Sequence, residues 1–339
     1  MTIFFRIFLL IFLAAPLSLA AQDRAYPVEG DGILSFLRRW NRIDDSYVQE
    51  FIELNTDRLN AEGRLELGTV YLIPPLHPGD VYPPPPEALA RATDPAIFGP
   101  HLDKITPRSD HLKDACFFII SGHGGPDPGA IARVGNRVLH EDEYAYDIAL
   151  RLARELMMEG ATVHVVIQDP DDGIRDEMYL NNSPDENCMG QPIPRNQLDR
   201  LKQRVDAVNE VHEQVKGEYD YVRAIEIHVD SRNKGKRIDV FFYHSADKHS
   251  RLLATTMRDL FRMKYDTHQP GRGFEGFVEE RGLYVLRHLT PPSILVEVGN
   301  IQNGFDRQRI LLSNNRQALA NWMAQAFYED YKKSVDFTR

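Results

Sequence analysis

Cysteine is scarce in this sequence: only Cys116 and Cys188 occur in 339 residues. Two thiols cannot supply a cluster of cysteine zinc ligands. One disulfide is possible if the chain is exported. However, Cys116 lies in an apolar run and Cys188 in a polar loop. We therefore expect one buried and one exposed free thiol and no bridge.

The chain also lacks an excess of positive charge. Its 40 lysines and arginines are outnumbered by 50 aspartates and glutamates, which gives a formal net charge of -10. Proteins that bind nucleic acids hold the phosphate backbone with lysine and arginine. Nucleic acid is therefore not an expected partner.

Long apolar runs are missing except near the amino terminus. Arg6 is followed by an apolar stretch at 7–15 and then by Ser18 and Ala20. The stretch is shorter than the ~20 residues of a membrane span, and the order of its parts is typical of a secretory signal peptide. We expect residues 1–20 to be removed, which predicts an exported protein, periplasmic or extracellular, with no membrane attachment after cleavage.

Strand and helix patterns alternate from about residue 111 onward. Apolar or β-branched runs at 117–120, 162–167, 222–228, 238–243 and 294–298 predict strands, and apolar stripes within 143–158, 198–215, 252–261 and 319–327 predict helices. This alternation is typical of an α/β fold with a mostly parallel, twisted sheet flanked by helices. The polar stretch 169–196 is too long for an ordinary connection, and we expect a structureless loop that acts as a lid.

Residues 21–76 form a separate first unit. Its apolar spacing predicts two helices, and the β-type run at 67–74 ends at a proline, so the order is strand, helix, helix, strand. This βααβ order, with Gly30, Asp31 and Asn55, resembles the LysM carbohydrate-binding module. The alternative is a small packing domain with no binding role.

Residues 77–110 separate this unit from the larger domain predicted at 111–332. Four consecutive prolines at 83–86 favour an extended, semi-rigid spacer. We therefore predict a proline-rich linker. Such a tether raises the local concentration of the larger domain at the polymer that the first unit binds.

Four fragments carry the candidate chemistry. They are Ser-Gly-His-Gly-Gly at 121–125, His-Glu-Asp at 140–142, Ile-His-Val-Asp at 227–230 and Leu-Val-Glu-Val-Gly-Asn at 295–300. Two histidines and one carboxylate are the ligand set of a catalytic zinc with an open position, and a further carboxylate can accept a proton. Because ligands gather at the carboxyl ends of parallel strands, we expect His123, His228 and Glu297 to converge.

Each residue taken alone has a simpler explanation. His123 fits a plain glycine-rich turn, and His228 fits a core histidine. Glu141 can stabilise the start of the helix that follows. Its rivals in the same turn are His140, Asp142 and Glu143. Glu297 lies in an apolar strand, where a buried carboxylate needs a partner. The combination, more than any one residue, indicates a zinc hydrolase.

Residues 115–330 resemble the zinc-dependent N-acetylmuramoyl-L-alanine amidases of the amidase-3 type. The matching segments are 122–131, Glu141 with Ile148 and Ala149, 227–230, 283–287 and 294–303. The resemblance implies His123, Glu141 and His228 as Zn²⁺ ligands. It implies Glu297 as the catalytic carboxylate, which takes a proton from the attacking water and returns it to the leaving amine.

The implied reaction is hydrolysis of the amide bond between the lactyl group of N-acetylmuramic acid and L-alanine of the peptidoglycan stem peptide. Peptidoglycan is then the partner, at the cell wall, and an activator protein that opens the site is a further hypothesis. The alternatives are a zinc carboxypeptidase acting on cell-wall peptides and a non-catalytic wall-binding protein.

Some positions depart from the usual pattern of these amidases. Asn300 stands where an aromatic residue usually follows the glycine, the segment 169–196 replaces a shorter loop, and Glu226 is an unusual charge before Ile227. We predict that Arg287 and Asn300 contact the substrate. A structural ion pair is the alternative for Arg287.

Overall fold

The computed structural model describes residues 24–25, 27, 32–38, 42, 45–66, 68–75, 77, 92–231 and 237–336. The described residues up to His77 form one unit, and those from Ala92 onward form another. The predicted signal peptide and the proline run at 83–86 lie outside the described residues. Within these ranges, no helix is long and apolar enough to cross a membrane.

The first unit has the order strand, helix, helix, strand. Its elements are β1 (Arg24–Ala25), α1 (Ile33–Arg38), α2 (Asp45–Leu54) and β2 (Tyr71–Leu72), and the two strands pair antiparallel. The rings of Phe36, Phe51 and Tyr71 meet in its core with centroids 5.6–5.9 Å apart. Asn55 is buried just after α2, and its amide both donates to and accepts from the Leu72 backbone at 2.8 Å. This side chain ties the helix end to the closing strand.

The second unit contains eleven strands and six α-helices among its described residues. The strands are β3 (Ala115–Ser121), β4 (Ile131–Val134), β5 (Arg137–His140), β6 (Thr162–Val165), β7 (Ile167–Gln168), β8 (Asn187–Cys188), β9 (Gln191–Pro192), β10 (Tyr221–Asp230), β11 (Phe241–His244), β12 (Val278–Glu280) and β13 (Ser293–Asn300). The helices are α3 (Glu141–Met158), α4 (Gln197–Gln214), α5 (Lys248–His268), α6 (Tyr284–His288), α7 (Arg307–Leu311) and α8 (Ser313–Asp336).

A six-stranded sheet forms the middle layer, in the order β12-β11-β13-β10-β3-β6. The four strands β13, β10, β3 and β6 are parallel. By contrast, β11 runs antiparallel to β13 and carries β12 beside it. The predicted α/β fold with a mostly parallel sheet is confirmed, and two strands of the opposite direction, β11 and β12, are added at one side.

Helices cover both faces of this sheet. Phe117 and Ile119 join the core formed with α3, α5 and α8, whereas Phe118 and Ile120 join a second core with α4 and α6. Alternate residues of a strand point to opposite faces. Because both faces are buried, β3 reads as a continuous apolar run in the sequence.

The residues just before the sheet belong to this unit. Thr93 donates its N–H to the Val163 carbonyl at 2.9 Å, and its hydroxyl accepts from the Val165 N–H at 2.7 Å. Phe98, in a short 3-10 helix, is buried in the core. The structure therefore differs from the linker boundary predicted at 110. The sequence does not reveal this boundary, because a short segment with a single buried aromatic ring shows no periodic pattern of apolar residues.

The polar segment 169–196 has a defined shape. It contains β8 and β9, which form a three-stranded antiparallel sheet with β7. The fully buried Arg316 bonds Asp147 at 2.5 Å and the carbonyls of Arg175 and Glu177 at 2.6 and 3.1 Å. The prediction of a structureless loop is wrong, because polar contacts with distant residues fix the segment.

Both cysteines are buried free thiols in one apolar cluster. The expectation that Cys188 is exposed is wrong, because β8 places it in the core beneath α4. Burial raises the pKa of Cys116 and of Cys188 to about 12. Neither side chain is therefore a thiolate near neutral pH, the form that reacts with electrophiles.

We predict that neither thiol of the native protein reacts with iodoacetamide at neutral pH. Both are expected to be alkylated after unfolding in denaturant without reductant, and intact-mass spectrometry counts the added groups. Rapid labelling of the native chain contradicts the buried placement. Absence of labelling after unfolding contradicts the free-thiol state.

Candidate active site

Three elements meet at the carboxyl edge of the sheet. His123 follows β3, His228 lies near the end of β10, and Glu141 is the first residue of α3. One ligand atom from each of these side chains lies within 4.8 Å of the other two. The structure therefore brings together the three residues predicted to bind a metal.

The turn that carries His123 needs small neighbours. His123 itself has a φ of 64°, in the left-handed region that non-glycine residues rarely adopt. A Cβ atom at Gly122 would lie 2.3 Å from the His228 ring, and one at Gly129 would lie 2.7 Å from the His123 ring. Strained backbone of this kind is concentrated at functional sites. The two glycines are what allow the rings to approach.

Glu141 lies between the two histidines. Its Oε2 is 3.3 Å from His123 Nε2, and its Oε1 is 3.0 Å from His228 Nδ1. The N–H groups of Ala130 and Val229 donate to the same oxygens at 2.8 and 2.9 Å. Burial opposes ionisation, but the contacts with both histidines hold the pKa of Glu141 well below its usual range. Glu141 is therefore a carboxylate.

The same geometry favours positive charge at the centre of the cluster. Burial disfavours a charged imidazole, but hydrogen bonds to Asp127 and Glu141 raise the pKa of His123 to about 9. Burial also disfavours a charged His228, but its contacts with Glu141 and Glu226 raise the pKa of His228 well above its ordinary value. A metal cation supplies positive charge at this point, so the residues present fit a metal ion.

Each histidine uses its outer ring nitrogen on a further carboxylate. His123 Nδ1 is 3.0 Å from Asp127 Oδ2, and His228 Nε2 is 3.5 Å from Glu226 Oε1. Such outer carboxylates fix the tautomer and orientation of a ligating histidine. Asp127 is recognisable as the residue four positions after His123. The unusual charge at Glu226 is therefore explained by its contact with His228.

Two arginines one turn apart on α4 hold these carboxylates. Arg200 Nη2 is 2.7 Å from Asp127 Oδ2, and Arg204 Nη1 is 3.3 Å from Glu226 Oε1. Arg204 also donates to the His123 carbonyl at 3.0 Å. Sequence reasoning assigned no role to either arginine. Their spacing of four residues is the only signal, and it does not identify the distant carboxylates.

Glu297 lies beside His228 on the neighbouring strand. The two residues are direct partners in the parallel register of β10 and β13, so their side chains leave the same face of the sheet. Both are partly exposed, although the residues on either side of them are buried. The predicted catalytic carboxylate therefore lies next to the histidine cluster on the same face of the sheet.

A cleft of about 180 Å³ opens beside His123 and His228. Its walls include Arg200, Leu201 and Arg204 from α4 and Leu283, Tyr284 and Val285 around the start of α6. The cleft combines an apolar wall with charged groups near the histidines. This combination is typical of a site that binds and orients a polar ligand.

The two predicted substrate contacts differ in their placement. Arg287 is exposed on α6, next to the cleft-lining residues of that helix. Asn300 is fully buried, and its side-chain oxygen accepts from the Gln302 N–H at 2.9 Å. The structure therefore gives Asn300 a role in the turn after β13, where burial separates it from ligands.

The sequence profile of the N-acetylmuramoyl-L-alanine amidase family, amidase-3, matches residues 117–328. The chain belongs to this family. The match spans the central sheet and contains all four residues of the predicted zinc and proton-transfer set. The protein is thus an N-acetylmuramoyl-L-alanine amidase, which hydrolyses the amide bond between N-acetylmuramic acid and L-alanine of peptidoglycan.

Individual relatives are distant. The germination-specific N-acetylmuramoyl-L-alanine amidase of Bacillus subtilis (strain 168) is 24% identical over 201 residues, which are 59% of this chain and 73% of that protein. The amidase AmiC2 of Nostoc punctiforme is 21% identical with a TM-score of 0.45, covering 66% of this chain and 99% of that one. The CwlD amidase from Clostridioides difficile, solved with the GerS lipoprotein, is 16% identical with a TM-score of 0.47, covering 65% and 98%.

We predict that Arg204→Met lowers the free energy of unfolding of the amidase by about 3–5 kcal/mol, because it removes the arginine that pairs with the buried Glu226 carboxylate. The Glu226 side chain is 2% exposed. Arg200→Met is the matched control. Its partner Asp127 is 24% exposed, so the expected loss is about 1 kcal/mol or less. Urea unfolding followed by circular dichroism measures both, and equal losses contradict the assigned burial.

Proposed function

We propose that the amidase is zinc-dependent, with His123, Glu141 and His228 as the metal ligands. The observation that supports this is their approach to within 4.8 Å at the mouth of a cleft. Two imidazoles and one carboxylate suit a zinc ion that keeps a fourth position open. Bound zinc supplies Lewis acidity, which polarises the scissile carbonyl and acidifies water.

Glu297 is the proposed proton carrier. Its position opposite His228 suits a carboxylate that accepts a proton from the attacking water. The same proton then passes to the nitrogen of L-alanine as the amide bond breaks, so that a free amine leaves. Asp127 and Glu226 orient the two imidazoles, and the arginines of α4 hold those carboxylates in place.

We predict that Glu297→Gln lowers the release of stem peptides from purified sacculi by about 100-fold or more, since a general base contributes 10²–10⁴ in rate. Zinc content, measured by elemental mass spectrometry, is expected to stay unchanged. The products are followed by mass spectrometry as new free L-alanine amino termini. Release of single amino acids instead supports a carboxypeptidase.

Two further variants make this result specific. Glu218→Gln changes an exposed carboxylate before the start of β10, at the opposite edge of the sheet, and is expected to leave the rate unchanged. His123→Ala is expected to lose both bound zinc and hydrolysis. Survival of hydrolysis in Glu297→Gln contradicts the proton-carrier role, and full zinc content in His123→Ala contradicts the ligand set.

The first unit is proposed to be a LysM-like glycan-binding module, on a chain that is exported to the cell wall. Support comes from its βααβ order with paired outer strands, from Asn55 at the closing strand, and from the apolar run at 7–15. A cleft of about 370 Å³ lies between the end of α2 and Pro74-Pro75 in this unit. An activator protein stays a prediction.

We predict that removal of residues 21–76 lowers the fraction of enzyme that sediments with sacculi by about tenfold or more, because the second attachment point is lost. The comparison uses the Glu297→Gln background, so that the wall is not digested. As a control, the same truncation in the active enzyme is expected to retain hydrolysis of soluble muropeptides. Equal sedimentation of the two forms contradicts a binding role.

A further inference from the structure

A second group of carboxylates lies next to the proposed zinc ligands and has no part in the proposed proton transfer. Asp142 and Glu143 come from the first turn of α3, and Glu186 comes from the segment 169–196. One oxygen from each lies within 4.8 Å of the other two. Their exposed fractions are 2%, 1% and 5%, and Asp169, also 5% exposed, is a fourth buried carboxylate that interacts with Glu186.

Positive charge is scarce around this group. Arg175 forms ion pairs with Glu143 at 2.8 Å and with Asp172 at 2.6 Å. Within the described ranges, no other lysine or arginine forms an ion pair with Asp142, Glu143 or Glu186. The N-terminal dipole of α3 stabilises part of the negative charge. His123 also acts on Asp142, but its imidazole is already paired with Asp127 and Glu141, so the three buried carboxylates are not balanced.

Hydrogen bonds from the protein satisfy only part of the group. Glu143 accepts from the Ser183 N–H, and Glu186 Oε2 accepts from the Gly125 N–H at 2.7 Å. Asp142 Oδ1 accepts from the N–H of Glu143 at 2.9 Å. Asp142 Oδ2, however, is buried and has no hydrogen-bond partner in the described part of the chain. A buried carboxylate oxygen in this state requires a cation or a proton.

We propose that Asp142, Glu143 and Glu186 form a second, structural site for a hard divalent cation of the calcium class. The ligands are all oxygens, which calcium prefers and which suit zinc less well than nitrogen or sulfur. One oxygen from each of the three side chains lies within 4.8 Å of the other two, so all three can reach one ion. Magnesium, with bonds of about 2.1 Å, retains several waters and suits a buried carboxylate group less well.

The proposed cation site lies between the segment 169–196 and the elements that carry the proposed zinc ligands. Glu186 connects the segment 169–196 to Gly125, in the turn that follows His123. Asp142 directly follows Glu141. A bound cation therefore fastens the segment 169–196 to the first turn of α3, which carries Glu141, and through Glu186 to the turn that carries His123. The inference does not rest on the zinc proposal, and its test needs no amidase activity.

The test titrates the full-length, zinc-loaded protein with calcium chloride after treatment with a calcium-selective chelator. Equilibrium dialysis with elemental analysis is expected to show one calcium per chain, and the melting temperature is expected to rise with calcium concentration. Magnesium at the same concentration is expected to bind more weakly. Absence of stoichiometric calcium and of any thermal shift at millimolar calcium overturns the site.

Glu186→Gln is expected to weaken calcium binding by about tenfold or more, because affinity follows the charge of the ligands. Glu177→Gln, an exposed change in the same segment, is the matched control and is expected to bind calcium like the parent chain. If Glu186→Gln does not fold, Asp142→Asn provides the same test. Calcium affinity that is unchanged in the folded ligand variant overturns the proposal. A second result also overturns the proposal. If the parent chain binds no calcium and the ligand variant is more stable than the parent, then bound protons balance the charge of the carboxylates.

Discussion

The parallel pairing of β10 with β3 on one side and with β13 on the other is the constraint on which the active site depends. In this register Ile227 lies opposite Ser121, and His228 lies opposite Glu297. A slip of one residue turns every side chain of a strand to the other face, and it would remove His228 from the cluster. Burial of both faces of the central strands specifies this pairing. Packing of the core therefore determines where the active-site side chains lie.

Around this edge the charges are arranged in layers. Imidazoles and Glu141 form the inner layer, Asp127 and Glu226 hold the imidazoles, and the two arginines of α4 hold those carboxylates. Buried ion pairs contribute little net stability compared with apolar packing. Their value here is orientation, because each histidine ring is held at its outer nitrogen and faces the cluster with the other. Gly122 and Gly129 leave the space that the two histidine rings occupy in this arrangement.

The sequence predicted the parts of this structure that have local signals. Strand β3 is a continuous apolar run, β10 and β13 each contain a shorter one, and His123 and His228 are recognisable from their places near strand ends. Long-range polar contacts have no such signal. The pairing of Arg204 with Glu226, the shape of the segment 169–196 and the antiparallel direction of β11 depend on residues that are distant in the chain. The prediction that Asn300 contacts the substrate rests on its residue type, because an aromatic residue usually follows this glycine in related amidases. The sequence does not show that Asn300 is buried, because its burial depends on tertiary packing.

The most direct test of the central claim is a crystal structure of the zinc-loaded enzyme with anomalous diffraction measured above and below the zinc absorption edge. We expect one strong anomalous peak within bonding distance of His123 Nε2, His228 Nδ1 and a Glu141 oxygen, with Glu297 facing the open position. A zinc peak elsewhere, or no peak at this cluster in a protein that hydrolyses peptidoglycan, would contradict the account.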